Sequence, residues 1–261
     1  MLSATRRSTL AFLLVPLLAL GFNASALFSA SALAQQPAPT EPTAAASASP
    51  PPYFDPKTLD LGRLLPPAPK NDSDITRSEI AQMLKIQQER SPAEAQRAAD
   101  DAKVTIYRFA DALGNPIVFN AKSLPKFDTL FRKVLHEEGA VVQAGKRSFA
   151  RPRPFVLEPR IEPLVDKPPN DSYPSGHTLW ARTVGLLLSD MVPELRPQIM
   201  ARADEYSFNR VVVGVHYPSD VDAGKLAGTA LAAFLFASPA FQADYADAKK
   251  ELRAALKLPP S

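Results

Sequence analysis

The sequence contains no cysteine, only three histidines and a single tryptophan. Without cysteine there is no disulfide framework and no thiolate metal site, so a hydrophobic core must stabilise the fold. Beyond its first residues, the chain also lacks the run of about 20 apolar residues that a membrane-spanning helix needs. Proline, in contrast, occurs 27 times and is dense at 37–69 and 152–174, where long helices are therefore not expected.

The N-terminus has the pattern of a secretory signal peptide. Arg6 and Arg7 precede a short apolar run at 11–20, and small residues lead to Ala34. We therefore expect cleavage after residue 34, a periplasmic or secreted protein, and no stable membrane anchor afterwards. Loss of these two arginines from the 30 basic residues leaves 28 against 27 acidic ones, so the net charge does not indicate nucleic acid as a partner.

The rest of the chain divides into a tether and one domain. Residues 35–52 are mainly proline, alanine, serine and threonine, which bury too little apolar surface to fold and predict a disordered tether. Residues 53–261 contain no linker and no internal repeat, and helical spacing dominates, which predicts a single all-α domain, a helical bundle. The proline-rich residues 64–69 are expected to form an extended strap over its surface.

Capping signals predict where the helices begin and end. A possible capping box at 76–79 and a stronger one at 91–94 open the first two helices, and the second is expected to run to about Leu113. A third helix is expected at 125–138, with Gly139 as its C-cap. The remaining helices are expected at about 176–191, 194–214, 218–237 and 239–256.

The stretch Pro174-Ser175-Gly176-His177, which opens a helical run, suits an anion. Free backbone N–H groups converge at a helix start, and a glycine lets a ligand approach them closely. The alternative is ordinary local structure, with Ser175 as an N-cap and His177 as a structural histidine.

Two further stretches carry charge in unusual patterns. Residues 146–153 place four positive charges within eight positions, beside prolines, as an anion site, a solvated basic face or a nucleic-acid patch would. Farther along, Asn209-Arg210 precedes His216 and Asp220. A carboxylate four residues after a histidine can fix its tautomer through Nδ1–H and leave Nε2 free to react.

Together these residues supply what phosphoryl transfer needs. Lys146, Arg153 and Arg210 provide positive charge for the phosphate oxygens, and guanidinium groups offer paired donors. An imidazole nucleophile held by a carboxylate, with a second imidazole as the acid, would complete the reaction without a metal ion or cofactor.

The spacing of these motifs resembles that of a known family. Three motifs are similar to the signature of the type 2 phosphatidic acid phosphatase superfamily, which shares its helical fold with vanadium haloperoxidases: Lys146 followed after six residues by Arg153-Pro154; Pro174-Ser175-Gly176-His177; and Arg210 followed by His216 and Asp220. The register favours Arg153, because Arg151-Pro152 would need a lysine where Ala144 stands. Residues 172–178 and the strap are similar to the bacterial class A non-specific acid phosphatases, which are secreted or periplasmic.

The resemblance implies a function and a role for each residue. The protein would be a metal-independent acid phosphatase for small phosphomonoesters, without a cofactor, and the family also suggests a homo-oligomer. His216 would attack phosphorus and form a phosphohistidine, Asp220 would orient it, and His177 would protonate the leaving alcohol. The phosphate oxygens would be held by Lys146, Arg153, Ser175, Gly176 and Arg210. Because His216 must be neutral while His177 is protonated, activity should be bell-shaped in pH and best on the acid side.

Two positions depart from the family pattern. Asn209 stands where serine is usual, although its amide can still donate a hydrogen bond, and Asp171 replaces a glycine at the expected mouth of the site. Two other functions stay open: a vanadate-dependent haloperoxidase with the same pocket, and an inactive periplasmic anion-binding protein. The similarity to class A enzymes argues against the first, and the intact His177 and His216 argue against the second.

Other conspicuous residues are interpreted as structural. His136 is expected on a solvated helix face, because its neighbours are charged. Residues 220–224 faintly resemble a calcium loop, but its twelfth position would be Leu231, which is no ligand. Gly224 and Gly228 have the spacing of close helix packing, and Trp180 is expected in the core.

Overall fold

The computed structural model describes residues 51–114 and 118–260. The expected signal peptide and all but the last two residues of the expected tether lie outside these ranges. The described residues belong to one compact unit and contain α-helices and short 3₁₀ turns but no strand, which confirms the all-α fold class. The helices are α1 (Leu61–Leu64), α2 (Asp74–Glu89), α3 (Pro92–Asp100), α4 (Pro125–Phe149), α5 (Pro154–Leu157), α6 (Gly176–Met191), α7 (Arg196–Val212), α8 (Pro218–Ala237) and α9 (Pro239–Ala255).

The start of α2 differs from the prediction. Ser73 is the N-cap, and its hydroxyl accepts a hydrogen bond from the backbone N–H of Thr76. The expected capping box at 76–79 is therefore wrong, because a serine one turn earlier already caps the helix. Glu79 does not cap the helix. Its side chain is buried, and Oε2 accepts a 2.9 Å hydrogen bond from Nη2 of Arg151.

The capping box of α3 is confirmed, but its predicted length is wrong. Ser91 and Glu94 cap each other reciprocally, and the helix then ends at Asp100 instead of about Leu113. Two 3₁₀ turns, Ile106–Phe109 and Asp111–Leu113, replace the rest. The helix stops because the carboxylate of the next residue, Asp101, is bound by arginines from outside the helix.

Helix α4 continues through Gly139 to Phe149, so the expected end at residue 138 is also wrong. The apolar face on which Val134 is buried continues beyond the glycine at Val141 and Val142, and packing overrides the weak helix propensity of glycine. The helix ends at Ala150, whose φ is 46°. This extra length carries Lys146 into the interior.

The core lies around α6, which packs against α4, α7 and α8. Trp180 and Leu187 of α6 are buried, as expected. Helix α8 approaches α6 through its two glycines: a Cβ on Gly228 would lie 2.5 Å from the Leu179 carbonyl oxygen, and one on Gly224 would lie 2.6 Å from that of Ser175. The glycine spacing therefore serves close helix packing.

The strap was expected at 64–69, but Leu64 is the last residue of α1, so the segment without helix or strand begins at residue 65. Leu65 is buried, and the hydroxyl of Tyr173 donates a 2.9 Å hydrogen bond to the carbonyl of Pro66. Within the described ranges no single helix has the length and hydropathy of a membrane span; α8 and α9 meet these criteria only as a pair, with a 96° bend between them.

Candidate active site

A cavity of about 230 Å³ lies where α4, α6 and α7 meet the loops at 153 and 168–170. It brings together six of the eight residues predicted from the sequence, although they come from three separate motifs. Those lining it are Lys146, Arg153, Gly176, His177, Arg210 and His216.

The start of α6 forms one wall of the cavity. Gly176 is its first residue and faces the cavity, while Ser175 is the N-cap and accepts a 3.3 Å hydrogen bond from the backbone N–H of Thr178. The Ser175 hydroxyl also receives the Thr178 hydroxyl at 3.0 Å and does not line the cavity. The N-cap interpretation thus describes the Ser175 side chain, whereas the helix start itself faces the cavity.

Lys146 enters from the last turn of α4. Its Nζ donates hydrogen bonds to the carbonyl oxygens of Asp171, at 2.6 Å, and Ser172, at 3.3 Å. Burial, assisted by the nearby positive charge of Arg153, lowers the pKa of Lys146 to about 7. Its charge is therefore lost as pH rises through neutrality.

Arg153 is held in place by backbone and side-chain acceptors. Its Nε and Nη2 donate to the carbonyl and the side-chain oxygen of Asn170, at 2.8 and 2.6 Å, and Nη1 donates to the carbonyl of Val215 at 2.7 Å. Arg151 lies elsewhere, with Nη1 2.6 Å from a carboxylate oxygen of Asp220 and no place in the cavity lining. The choice of Arg153 in the signature agrees with this geometry.

Arg210, near the end of α7, has buried donors with no partner. Its side chain lines the cavity, yet neither Nε nor Nη1 makes a hydrogen bond to the described residues. Burial lowers its pKa to about 10, so the guanidinium stays charged at neutral pH. An unpartnered buried donor is costly, and a phosphate bound in the cavity would bring acceptor oxygens to this guanidinium.

The two neighbours of His216 define its tautomer. Nδ1 lies 3.2 Å from Oδ2 of Asp220, which as a carboxylate accepts, and Nε2 lies 3.2 Å from Nη1 of Arg153, which only donates. The proton is therefore on Nδ1, and Nε2 presents a lone pair. Burial, followed by the charges of Arg153 and Lys146, places the pKa of His216 well below its usual value and keeps the ring neutral.

Asp220 lies behind His216 and outside the cavity lining. Besides the imidazole, its carboxylate accepts hydrogen bonds from the hydroxyl of Ser172, the backbone N–H of Tyr217 and Arg151. The sequence did not assign Ser172 and Arg151 to this group, because nothing in their spacing reveals a contact with a residue about fifty or more positions later.

His177 is constrained by the loop after α3. Its Nε2 lies 2.9 Å from the carbonyl of Ala102, which only accepts, so Nε2 carries a proton, and the ring stacks on Tyr206 with 6.2 Å between centroids. Burial and the charge of Arg210 lower its pKa to about 3. This direction opposes the expected protonated acid, whereas a phosphate dianion among these cations would raise the pKa again.

The two departures from the family pattern have different surroundings. Asn209 donates from Nδ2 to Asp101 at 2.8 Å and lies outside the cavity lining. Asp171 adjoins the site through its backbone, because its carbonyl oxygen accepts from Lys146 and Arg153.

Glu138 is a cavity residue that sequence reasoning missed. Burial raises the pKa of its carboxyl group to about 8, although the charge of Lys146 opposes the shift. His136 is exposed, as expected. Its neighbours Glu137 and Glu138 are buried, so the prediction that these charged residues also face solvent is wrong. One signal was present: Glu138 lies eight residues, about two helical turns, before Lys146.

The part of the chain that the structure describes contains no group of three or more histidine, aspartate and glutamate side chains that could hold a metal ion. The lysine and arginine side chains that line the cavity are Lys146, Arg153 and Arg210.

Comparison with known proteins identifies the family. A family described as the PAP2 superfamily matches residues 134–243. The chain is 34% identical to the non-specific acid phosphatase of Salmonella typhimurium over 198 residues, covering 72% of this chain and 78% of the relative. It is 30% identical to the non-specific acid phosphatase of Providencia stuartii, covering 75% and 82%.

A solved structure supports the fold. A bacterial vanadium-dependent iodoperoxidase superposes with a TM-score of 0.51 at 18% identity, covering 66% of this chain. The match spans about half the length of that protein, 51%, and at this identity it shows the shared fold alone. The names of the curated relatives favour the phosphatase over the haloperoxidase and the inactive binding protein.

Proposed function

The chain belongs to the PAP2 superfamily and is an acid phosphatase, and from this premise we propose that it hydrolyses small phosphomonoesters through a phosphohistidine on His216, without a metal ion. One observation carries the proposal. Arg210, whose buried Nε and Nη1 have no hydrogen-bond partner among the described residues, lines the same cavity as His216, whose neutral ring has its lone pair on Nε2.

Binding rests on three cations and a helix start. Lys146, Arg153 and Arg210 neutralise the phosphate oxygens, and the backbone at Gly176 adds the positive end of α6. These groups supply the charge stabilisation that metal ions provide in other phosphoryl-transfer sites. The proposed metal independence rests on this argument.

In the first step the Nε2 lone pair of His216 attacks phosphorus, and the bond between phosphorus and the alcohol oxygen breaks. His177 gives its Nδ1 proton to the leaving oxygen, while its Nε2–H stays on the Ala102 carbonyl. The carboxylate of Asp220 stabilises the positive charge that develops on the His216 ring.

In the second step a water molecule attacks the phosphohistidine. His177, now neutral, accepts the proton of that water at Nδ1, and the bond between phosphorus and Nε2 breaks with its electron pair returning to nitrogen. Inorganic phosphate leaves, and both histidines regain their starting protonation.

A direct test uses purified protein with p-nitrophenyl phosphate from pH 4 to 9, with and without a chelator. We expect activity that the chelator does not reduce, and a His216→Ala variant that loses at least about a thousandfold in kcat. Alkaline quenching during turnover should trap labelled phosphate on the wild type but not on the variant. Loss of activity with the chelator would contradict metal independence, and equal activity of the variant would contradict the nucleophile.

We also propose that the protein acts in the periplasm or outside the cell, on the basis of the signal-peptide pattern at 1–34. Cell fractionation followed by N-terminal sequencing should find the enzyme outside the cytoplasm with Gln35 as its first residue. Recovery in the cytoplasm with an intact Met1 would contradict this.

A further inference from the structure

We propose that Asp101 is a positioning residue for the proton donor: it holds the loop whose Ala102 carbonyl binds Nε2–H of His177, so that only Nδ1 is left to deliver a proton. The inference rests on the proposed function, in which His177 protonates the leaving alcohol. Nothing in the sequence motifs pointed to this loop, which directly follows α3.

The side chain of Asp101 is the anchor of the loop. It is fully buried and accepts hydrogen bonds from three side chains, although burying a carboxylate is costly. Arg202 donates from both terminal nitrogens, Arg108 donates from Nε at 2.9 Å, and Asn209 donates from Nδ2 at 2.8 Å. Burial by itself would raise the pKa of Asp101, but the bonds from Arg202 and Asn209 outweigh it and lower the pKa.

Four side chains hold this loop, and we call them the clamp: Arg108, Arg202, Tyr206 and Asn209. Helix α7 supplies the last three. Arg202, Tyr206 and Asn209 recur at spacings of four and three, which places them on one face of the helix. Tyr206 stacks on the ring of His177, and its hydroxyl donates a 3.4 Å hydrogen bond to the carbonyl of Lys103. The loop is thus held at residues 101 and 103, on either side of the carbonyl that His177 uses.

The same helix carries a phosphate-binding residue. Arg210 directly follows Asn209, so the clamp ties the position of the proton donor to that of the phosphate oxygens. A general acid acts only when its proton lies within hydrogen-bond reach of the leaving atom. A loosened loop would leave His177 able to rotate and to exchange tautomers.

Asn209 has a specific place in this arrangement. In the family pattern the position is usually serine, and here the longer amide reaches Asp101 across 108 positions of sequence. Its contribution to the site is therefore indirect, through the carboxylate that fixes the loop.

The leaving group gives a measurement that a purely structural role would not affect. An alkoxide is a poor leaving group and needs a proton, whereas p-nitrophenolate leaves readily without one. A badly placed acid should therefore slow the hydrolysis of an alkyl phosphate such as glycerol 2-phosphate far more than that of p-nitrophenyl phosphate.

The experiment compares kcat/KM on these two substrates for Asp101→Asn and for the milder Asn209→Ala, because kcat/KM reports the step that releases the alcohol and leaves out the water step that both substrates share. We expect Asp101→Asn to lose about tenfold or more in kcat/KM on glycerol 2-phosphate and less than about threefold on p-nitrophenyl phosphate. Asn209→Ala should shift the ratio in the same direction by a smaller factor. The control is Lys126→Gln, which removes an exposed lysine from its ion pair with Asp247 and should leave the ratio unchanged.

Two results would overturn the inference. One is an equal loss on both substrates for the variants, because that indicates a general structural defect. The other is an Asn209→Ala variant that folds with an unchanged ratio while Asp101→Asn fails to fold.

A His177→Ala variant separates this inference from the proposed function. If it loses kcat/KM equally on both substrates, His177 is not the acid and the proposed function fails. If it is selective for the leaving group while Asp101→Asn is not, only the positioning role fails. If His177→Ala and Asp101→Asn are both selective for the leaving group, adding Asp101→Asn to His177→Ala should change the ratio between the two substrates no further.

Discussion

At the scale of single residues, Lys146 has a charge that depends on pH near neutrality. Its pKa is lowered to about 7, first by burial and then by Arg153. The cationic form is therefore complete below neutrality and is lost as pH rises through 7, which weakens the attraction for phosphate.

We therefore expect the inhibition constant of inorganic phosphate to rise by up to about tenfold per pH unit above 7 in the wild type, beyond the change due to phosphate itself. In Lys146→Arg the guanidinium keeps its charge, so the rise should move at least one unit higher. Competitive inhibition measured from pH 5 to 9 checks this, and the ratio of the two proteins cancels the ionisation of phosphate. Identical pH profiles would contradict the assignment.

Glu138 leads to a second prediction at this scale. Below its pKa of about 8 the carboxyl is neutral and compatible with a bound anion, and above it the carboxylate repels phosphate. Glu138→Gln should therefore keep kcat/KM within about threefold of the wild type at pH 5–6 and exceed it above pH 8. Glu89→Gln on the exposed end of α2 is the matched control. An equal loss at every pH would mean that the carboxyl group has another role.

At the scale of helices, the contact between α6 and α8 depends on glycine. A Cβ at position 228 would lie 2.5 Å from the Leu179 carbonyl oxygen, closer than atoms pack, and backbone cannot easily move away. Gly139, in the middle of α4, has nothing within 4 Å of the corresponding position.

Substitution of the two glycines by alanine should therefore have opposite effects. Gly228→Ala should lower the free energy of unfolding by about 1–3 kcal/mol, because overpacking displaces the helices. Gly139→Ala should raise it by about 0.5–1 kcal/mol, because alanine favours the helix. Urea denaturation of both variants checks this, and destabilisation of the same size in both would contradict the packing argument.

At the scale of the whole molecule, Tyr53 joins the start of the described chain to α9. Its hydroxyl donates to Asp244 at 2.7 Å, its ring packs edge-on against Phe241 with 5.2 Å between centroids, and its carbonyl accepts from Ser238 at 2.7 Å. None of these residues lines the cavity that holds His177 and His216.

Tyr53→Ala should therefore reduce stability and leave catalysis intact. We expect a loss of about 3 kcal/mol in the free energy of unfolding for the alanine variant and about 1 kcal/mol for Tyr53→Phe, which loses only the hydroxyl contact. Thermal or urea unfolding gives the first quantity, and kcat on p-nitrophenyl phosphate at 25 °C should match the wild type in both. A folded Tyr53→Ala enzyme with reduced kcat would show that this end of the chain reaches the site.

By itself the sequence determined the all-α class, the capping of α3 at Ser91, the start of α6 and six of the residues that line the cavity. These features depend on neighbours within a few positions, so spacing and capping chemistry reveal them. The signature motifs belong to this class because each is short and local.

Only the tertiary structure decided how long α3 and α4 are, and which polar groups contact His177 and His216. The buried face of α4 continues across Gly139, and Asp101 ends α3 because Arg202, 101 positions later, binds its carboxylate. The burial of Glu138 has the same origin. Such contacts join residues that are distant in sequence, and no local pattern specifies the partner that burial makes necessary.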